Sequence, residues 1–356
     1  MKRKSEYKLC NRCLKRQCIK NYPLQKIVED CRICHGIWYQ LDKTYNKVIQ
    51  ATKDYEYDSF LIGLTLDHSF YDNEDKFRSR FRIRGKENIK TSLLREIRKK
   101  FGIISNKKIN LNYPDITINI QIGKKLETIV SVNSSTVVLT GRYKKLKRFQ
   151  INTKNTDNND SLEINQRHIE KILKNELLSR FDSDSIVFRP LGKEEPESLV
   201  LGNGRPFYVL IKNSKIISFK NDFSIQSKSM IFEINEKVRA LPISSPGYVK
   251  KVKTIVSLQE NLRASELKEI NDSGIRIIEI VNRRSKNWKF IYHMEFKFKT
   301  QKRLQFTITC DNGIPIRKFI EGNGNISPNL EQILNRKCKC DRFDILDIMN
   351  VDDLVN

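Results

Sequence analysis

Apolar residues recur along this chain with two periods, and the period switches several times. Phe60–Leu66 is a short apolar run that reads as a strand. Over Glu87–Phe101, the residues Ile89, Leu93, Leu94, Ile97 and Phe101 fall on one helical stripe, which ends at Gly102, a residue suited to closing a helix. The other face of that helix is basic, with Lys90, Arg95, Arg98, Lys99 and Lys100. Asp115–Ile122 alternates strictly, with Ile116, Ile118, Ile120 and Ile122 pointing one way, as a half-buried strand does. Thr136–Leu139 reads as a second strand. Ile151–Ser161 is polar, Asn-rich and devoid of core residues, so it reads as a linker.

Beyond it the pattern resumes. His168–Leu178 reads as a helix with Ile169, Ile172, Leu173 and Leu177 inward, and His168 one step off that stripe. Strands are predicted at Phe207–Lys212, Lys215–Phe219 and Met230–Asn235, and a helix over Ser257–Ile270. Phe290, Tyr292, Met294, Phe296 and Phe298 alternate with mainly polar partners, as do Leu304, Phe306, Ile308 and Cys310. They predict an antiparallel pair across Lys299–Arg303, and the aromatic alternation reads as core packing rather than a base-stacking platform. Cys310 reads as core, Cys338 and Cys340 as incidental thiols in a basic loop, and Asp344–Asn356 as a docked terminal helix or strand. Strands outnumber helices, and the fold class is α+β.

The stretch that this pattern does not explain is Gly192–Phe207, GKEEPESLVLGNGRPF. Two acidic residues sit in a Gly-opened turn, an apolar run follows, and a second Gly-rich turn closes on Arg205 and Pro206. Asn203-Gly204 is a hairpin signal. A carboxylate raised on such a turn, with an arginine brought back beside it, suits a small active site or a nucleic-acid clamp. An ordinary surface hairpin with solvated glutamates is the alternative.

Charge narrows the choice. Among 356 residues, 67 lysines and arginines face 42 acidic residues, a net charge of +25. An excess that large suits a polyanionic partner. A hydrophobic fraction of 38% describes a folded rather than a disordered protein. No run of eighteen apolar residues occurs, so no membrane helix is expected. The basic N-terminus has no apolar segment behind it and does not read as a signal peptide. A cytoplasmic, monomeric protein is expected.

Cys10-x-x-Cys13 and Cys31-x-x-Cys34 are separated by seventeen residues. Two such knuckles can close four thiolates around a zinc ion. A metal would also solve a size problem, since about 40 residues cannot build an adequate core unaided. Cys18 and His35 break the paired spacing and are read as bystanders. Gly141–Arg148 holds six basic or aromatic residues in eight. These are Arg142, Tyr143, Lys144, Lys145, Lys147 and Arg148, a mixture that contacts phosphates while a ring offers a stacking face.

Gly192–Phe207 resembles, without a gap, the signature of the THUMP-containing tRNA pseudouridine synthases of archaea and eukaryotes, the Pus-ten family. That signature reads G-R-E-D-x-D-x-R-x-L-G-x-G-R-P-F, with a G-x-E-D-x-x-S-L-V-L-G-x-G-R-P-F form in some archaea. Gly192, Glu194, Ser198–Gly202 and Gly204–Phe207 match it. The family's catalytic aspartate falls on Glu195. Gly141–Arg148 resembles the G-R-Y-R-K-L-x-R motif of the same family, Lys251–Ile255 its K-x-K-T-Y strand with Ile255 in place of the tyrosine, and Glu279–Arg284 its R-V-L-H-R-R segment.

The resemblance implies a zinc-binding module (1–45), a THUMP-like tRNA-binding domain (50–151), a linker (152–161) and a catalytic domain (162–356) with a bisected, mainly antiparallel sheet. It implies tRNA as partner, isomerisation of uridine in the T-arm, and no organic cofactor. Glu195 would be the catalytic carboxylate and Arg205 its partner, with Ile255, Arg283 and Arg284 in the substrate pocket. Because Glu195 carries an extra methylene and Ile255 lacks the ring, a non-catalytic tRNA-binding or tRNA-folding protein on the same frame is the second expectation.

Overall fold

A computed structural model describes residues 8–19, 31–148, 158–192, 197–219, 222–241, 247–271, 276–282, 285–322 and 325–351. The chain divides into two compact units. The first holds the N-terminal residues to Thr136 together with Arg180–Asp184 and Lys212–Ser218; the second holds the rest, beginning at Val137.

In the first unit, α1 (Asn11–Arg16) and α2 (Leu41–Thr52) precede β1 (Ser59–Leu66), α3 (His68–Phe81), α4 (Ile89–Ser105), β2 (Lys108–Ile109), β3 (Ile116–Ile122) and β4 (Thr128–Ser134). The sheet order is β2-β1-β3-β4, with β1 parallel to both β2 and β3 and β4 antiparallel. Parallel neighbours need a crossover, and α3 and α4 supply it. Phe60, Ile62, Leu64 and Leu66 of β1 lie in register with Ile116, Ile118, Ile120 and Ile122 of β3. Both rows are buried beneath the Ile89, Leu93, Ile97 and Phe101 stripe of α4. The Phe101 ring meets Phe60 edge-on at 4.9 Å. The α4 helix passes Gly102 and stops at Asn106, which takes the left-handed conformation. The cysteine-rich residues belong to the same hydrophobic cluster as this sheet. The small module borrows its core from its neighbour.

The second unit runs β5 (Val137–Lys145), α5 (Asn158–Phe181), β6 (Ser185–Pro190), β7 (Val200–Lys212), β8 (Phe223–Gln226), β9 (Met230–Val238), β10 (Tyr248–Leu258), α6 (Ala264–Asn271), β11 (Arg276–Asn282), β12 (Ser285–Thr300), β13 (Arg303–Asp311), α7 (Ile316–Ile320), β14 (Ile326–Ser327), α8 (Leu330–Leu334) and β15 (Cys338–Asn350). Its strands follow the order β14-β11-β12-β13-β10-β15-β7-β5-β9-β8, with β6 on β7. Along the path from β14 to β8 the described pairings are antiparallel except for one parallel bridge from Ile345 of β15 to Val200 of β7. The α+β expectation holds.

Several elements differ from the periodicity. The strand predicted from Thr136 continues to Lys145 and joins this second sheet. Lys215–Phe219 forms no strand; Lys215 and Ile216 donate to the carbonyls of Asp182 and Phe181. The helix predicted over Ser257–Ile270 starts only at Ala264, because β10 keeps its ladder to Leu258. Cys338 and Cys340 are buried on β15 rather than lying in a loop. The predicted linker falls at 151–157 outside the described residues, and α5 is under way at Asn158. Among the described residues, no helix is long and apolar enough to cross a membrane.

Candidate active site and metal centre

In the first unit, Cys10 caps α1 and Cys13 lies within it, while Cys31 and Cys34 occupy a turn in which the His35 amide donates to the Cys31 carbonyl at 2.8 Å. All four Sγ atoms lie within 4.8 Å of one another and all four cysteines are buried. The Cys10 and Cys34 sulfurs are 3.6 Å apart. A tetrahedral ion with bonds of about 2.3 Å to sulfur needs roughly 3.8 Å between sulfurs, so the set fits a metal ion. The crowding drives the thiols apart electrostatically. Hydrogen bonds with Cys10, Cys13 and Cys34 push Cys31 down, whereas those with Cys10, Cys13 and Cys31 push Cys34 up. His35 is turned elsewhere: its Nε2 meets the Asn73 amide at 2.8 Å and its ring packs on Phe70. Cys18 is exposed.

Behind the sulfurs lies a buried polar network. One Arg16 nitrogen approaches the Cys13 sulfur at 3.7 Å, and another donates to Glu74 Oε1 at 2.5 Å. Gln17 also donates to that oxygen at 2.7 Å, and the Ile89 amide donates to Glu74 Oε2 at 2.9 Å. Arg78 donates to the Gln17 amide oxygen and to the Glu87 carbonyl. Glu74 is therefore satisfied from α1, α3 and the start of α4 together.

In the second unit, the acidic turn opens at Gly192, whose φ is +77°. Glu194 and Glu195 lie outside the described residues, as do Arg283 and Arg284. The neighbours of Gly192 are described. Arg205 is 1% exposed, and its Nε donates to the Leu191 carbonyl at 2.7 Å. A side chain added at Gly192 would meet Arg205 Nη2 at 3.1 Å and the Asn312 amide at 3.2 Å. Lys250 of β10 donates to the Ile314 carbonyl at 2.5 Å, and burial lowers its pKa, with the Arg205 charge acting in the same direction. Thus β6, β7, β10 and the turn after β13 converge where the acidic turn begins. Beside them Asp311 accepts from the Phe290 amide and the Tyr292 hydroxyl, both at 2.9 Å. Burial and that carboxylate push Tyr292 up to about 12.

The second Gly-rich turn is not a hairpin. Val200 pairs with Lys145 and Arg205 with Tyr143, so residues 201–204 bulge from β7 between them. Gly202 and Gly204 both have positive φ, and a Cβ on Gly202 would sit 1.9 Å from the Leu346 carbonyl oxygen. Only glycine permits that approach.

The basic stretch of β5 is built around this bulge. Arg142 donates to the carbonyls of Asn203 at 2.7 Å and Gly204 at 3.0 Å, and also to that of Ile348. Tyr143 is 1% exposed, its ring among Phe188, Phe207 and Phe232, and offers no face to solvent. Lys144 pairs with Glu233 at 3.4 Å, and Lys145 is buried. Arg148 grips Asp344 with two nitrogens at 2.6 and 2.8 Å and donates to the Glu197 carbonyl. Lys147 is exposed. Ile255 is half-buried on β10, opposite Gln305 and Arg342. At about 3.3 Å per residue it lies roughly 17 Å along the strand from Lys250.

Sequence reasoning missed Lys250 and Asn312. Lys250 stands one residue before the Lys251–Ile255 segment, and Asn312-Gly313 is a turn signal, but nothing local ties either to Arg205.

Two family profiles match this chain: "Pus10, C-terminal" over residues 138–352 and "Pus10 THUMP domain, archaeal" over residues 45–121. The tRNA pseudouridine synthase Pus10 of Nitrosopumilus maritimus is 26% identical over 375 residues, spanning 96% of this chain and 95% of its own length. The protein of the same name from Cenarchaeum symbiosum is 21% identical over 336 residues, spanning 90% and 81%. Among solved structures, an archaeal box H/ACA sRNP Nop10–Cbf5 complex aligns with 58% of this chain and 46% of that one, at 10% identity and a TM-score of 0.32, too low to rest a fold on.

Proposed function

From the premise that this chain belongs to the Pus10 family, we propose that it is a tRNA pseudouridine synthase that isomerises uridine in the T-arm, with Glu195 as its carboxylate. The observation that carries this reading is the approach of buried Arg205 and half-buried Asn312 to Gly192, the residue that opens the acidic turn, with Lys250 near enough to feel the Arg205 charge. The target base must leave its stack to be reached. Glu195 then starts cleavage of the base–sugar bond, the uracil rotates, and C5 rejoins the sugar. Arg205 holds that carboxylate ionised; an opposite charge within a few ångströms favours the charged form. Arg205 is itself fixed by the Leu191 carbonyl, which spares reorganisation during the reaction. Ile255, Arg283 and Arg284 are proposed to line the substrate pocket.

The cysteine cluster is proposed to hold zinc in a structural role, through Cys10, Cys13, Cys31 and Cys34. The RNA-binding role of residues 142–148 is assigned to exposed Lys147, just past β5, with Lys144 and Arg148 beside it and Arg142, Tyr143 and Lys145 shaping the strand from within. The functional division into a zinc module, a THUMP-like domain, a linker and a catalytic domain follows the same reading, with β5 counted with the catalytic sheet because it pairs there. The chain works in the cytoplasm as a monomer.

Purified protein incubated with unmodified tRNA, followed by pseudouridine mapping, tests the reading. The parent should form product slowly. Glu195→Asp should form it up to about a hundredfold faster, because a carboxylate displaced by about 1 Å costs on that order. Glu195→Gln should form none. No product from the parent or from Glu195→Asp, with tRNA binding intact, would overturn catalysis and leave a tRNA-binding protein on this frame.

A further inference from the structure

The β11–β12 hairpin carries large rings that its own core does not use. Directly opposed residues of an antiparallel pair share a face, and Ile277 stands opposite Phe290 and Glu279 opposite Trp288. Ile278 and Ile291, on the other face, are buried at 0% and 1%. On the outer face Trp288 is 61% exposed, Ile277 53% and Phe290 42%. Phe290 continues to Tyr292, ring centroids 6.2 Å apart and tilted by 31°. Here the register of β12 against β13 slips: Ile291 pairs with Cys310, but His293 pairs with Thr309. The extra residue reverses the alternation, so Met294 and Phe296 point into the core while Trp288, Phe290 and Tyr292 stay outside.

The surroundings select the occupant. Lys286, on the same face, is 70% exposed and pairs with Glu279 at 3.0 Å, so that carboxylate is neutralised. The row ends at the Tyr292–Asp311 hydrogen bond, next to Asn312 and the Gly192 turn. Flat π-surface beside a charge-balanced ion pair, on a chain of net charge +25 and close to the opening of the acidic turn at Gly192, suits an unpaired stretch of RNA more than an apolar protein face.

We propose that Trp288 and Phe290 form a stacking platform for an unpaired nucleotide of the RNA substrate, adjacent to the base that enters the catalytic turn. The platform rests on the reading that this chain acts on RNA, but not on turnover. Its preference is for single-stranded RNA of any sequence, because every base offers a π-face.

The test uses the full zinc-loaded chain and a fluorescein-labelled twelve-nucleotide oligouridine, with binding followed by anisotropy over a range of salt. Replacing both Trp288 and Phe290 by Ala should weaken binding about five- to a hundredfold, the worth of one stacked base, with an unchanged salt slope. Trp288→Phe should retain most of the affinity. Trp38 is 6% exposed, so acrylamide quenching reports mainly on Trp288, and oligouridine should protect it. Parent-like binding by the double variant, or quenching that RNA leaves unchanged, would overturn the platform. So would protection that appears with protein concentration alone and tracks a dimer in sedimentation, which would assign the face to a second copy. Failure to form pseudouridine, with oligouridine binding still dependent on Trp288, would overturn the catalytic reading and leave the platform standing.

Discussion

The two units bury charge in opposite ways. In the first, Glu74 gathers Arg16, Arg78, Gln17 and the Ile89 amide around one carboxylate, so a negative centre is surrounded by donors behind four sulfurs. In the second, two cations, Arg205 and Lys250, lie close enough for Arg205 to push the Lys250 pKa down, at the mouth of a turn that carries acidic residues. The first arrangement is electrically closed and fits a structural centre. The second is held cationic by its walls and fits a site that must keep a carboxylate charged and receive a polyanion. The difference shows how one basic chain separates holding its shape from doing chemistry.

The largest break in this comparison comes from removing the zinc proposed for the cysteine cluster. Structural zinc contributes about 10–16 kcal/mol of apparent folding free energy in small modules. Chelation, or Cys31→Ser, should therefore cost the first unit its N-terminal module and expose α1 to protease. Limited proteolysis with mass spectrometry checks this, alongside metal analysis of the parent, which should give one zinc per chain. A parent that binds no metal and resists protease equally with and without chelator would refute the closed-centre reading.

A smaller break separates the network from the metal. Glu74→Ala leaves the Arg16 guanidinium, whose side chain is 4% exposed, without its carboxylate, and breaking a buried pair costs about 3–5 kcal/mol. Glu74→Gln keeps one acceptor oxygen and should cost less. Urea unfolding of the three proteins gives the order directly. If Glu74→Ala unfolds with the parent's midpoint, the network does not join α1, α3 and α4 energetically.

What the sequence disclosed about these two sites follows from distance along the chain. C-x-x-C spacing is local, so the cysteine cluster was legible before any fold was known, as were the isoleucine row of β3 and the stripe of α4. The contacts of Glu74 reach 57 and 58 residues back to Gln17 and Arg16, and no periodicity reports them. In the second unit, Gly192 and Arg205 were legible as a motif, whereas Lys250 and Asn312 reach them only through sheet pairing. Arg142–Arg148 had the composition of an RNA contact. Composition does not say that Arg142 is spent on three carbonyls of the bulge and its neighbours, or that Tyr143 closes an aromatic cluster. The aromatic alternation of β12 misled in a simpler way. Period two holds in the sequence, but one inserted residue between Ile291 and His293 sends its two halves to opposite faces.

The smallest effect probes the second unit alone and depends on a sign. Burial lowers the Lys250 pKa in the folded chain below its ordinary 10.5, so between the lowered value and 10.5 the unfolded chain binds more protons than the folded one. Stability must then rise with pH across that window, and the penalty of the buried charge is fully present below it. Lys250→Met removes the titration and should flatten the slope. It also deletes the hydrogen bond to the Ile314 carbonyl, a loss that does not vary with pH in this range. Urea midpoints at several values between pH 7 and pH 10 distinguish the two contributions, since only the first changes with pH. An unchanged slope in Lys250→Met would mean that the amino group reaches water and that burial does not disfavour its charge.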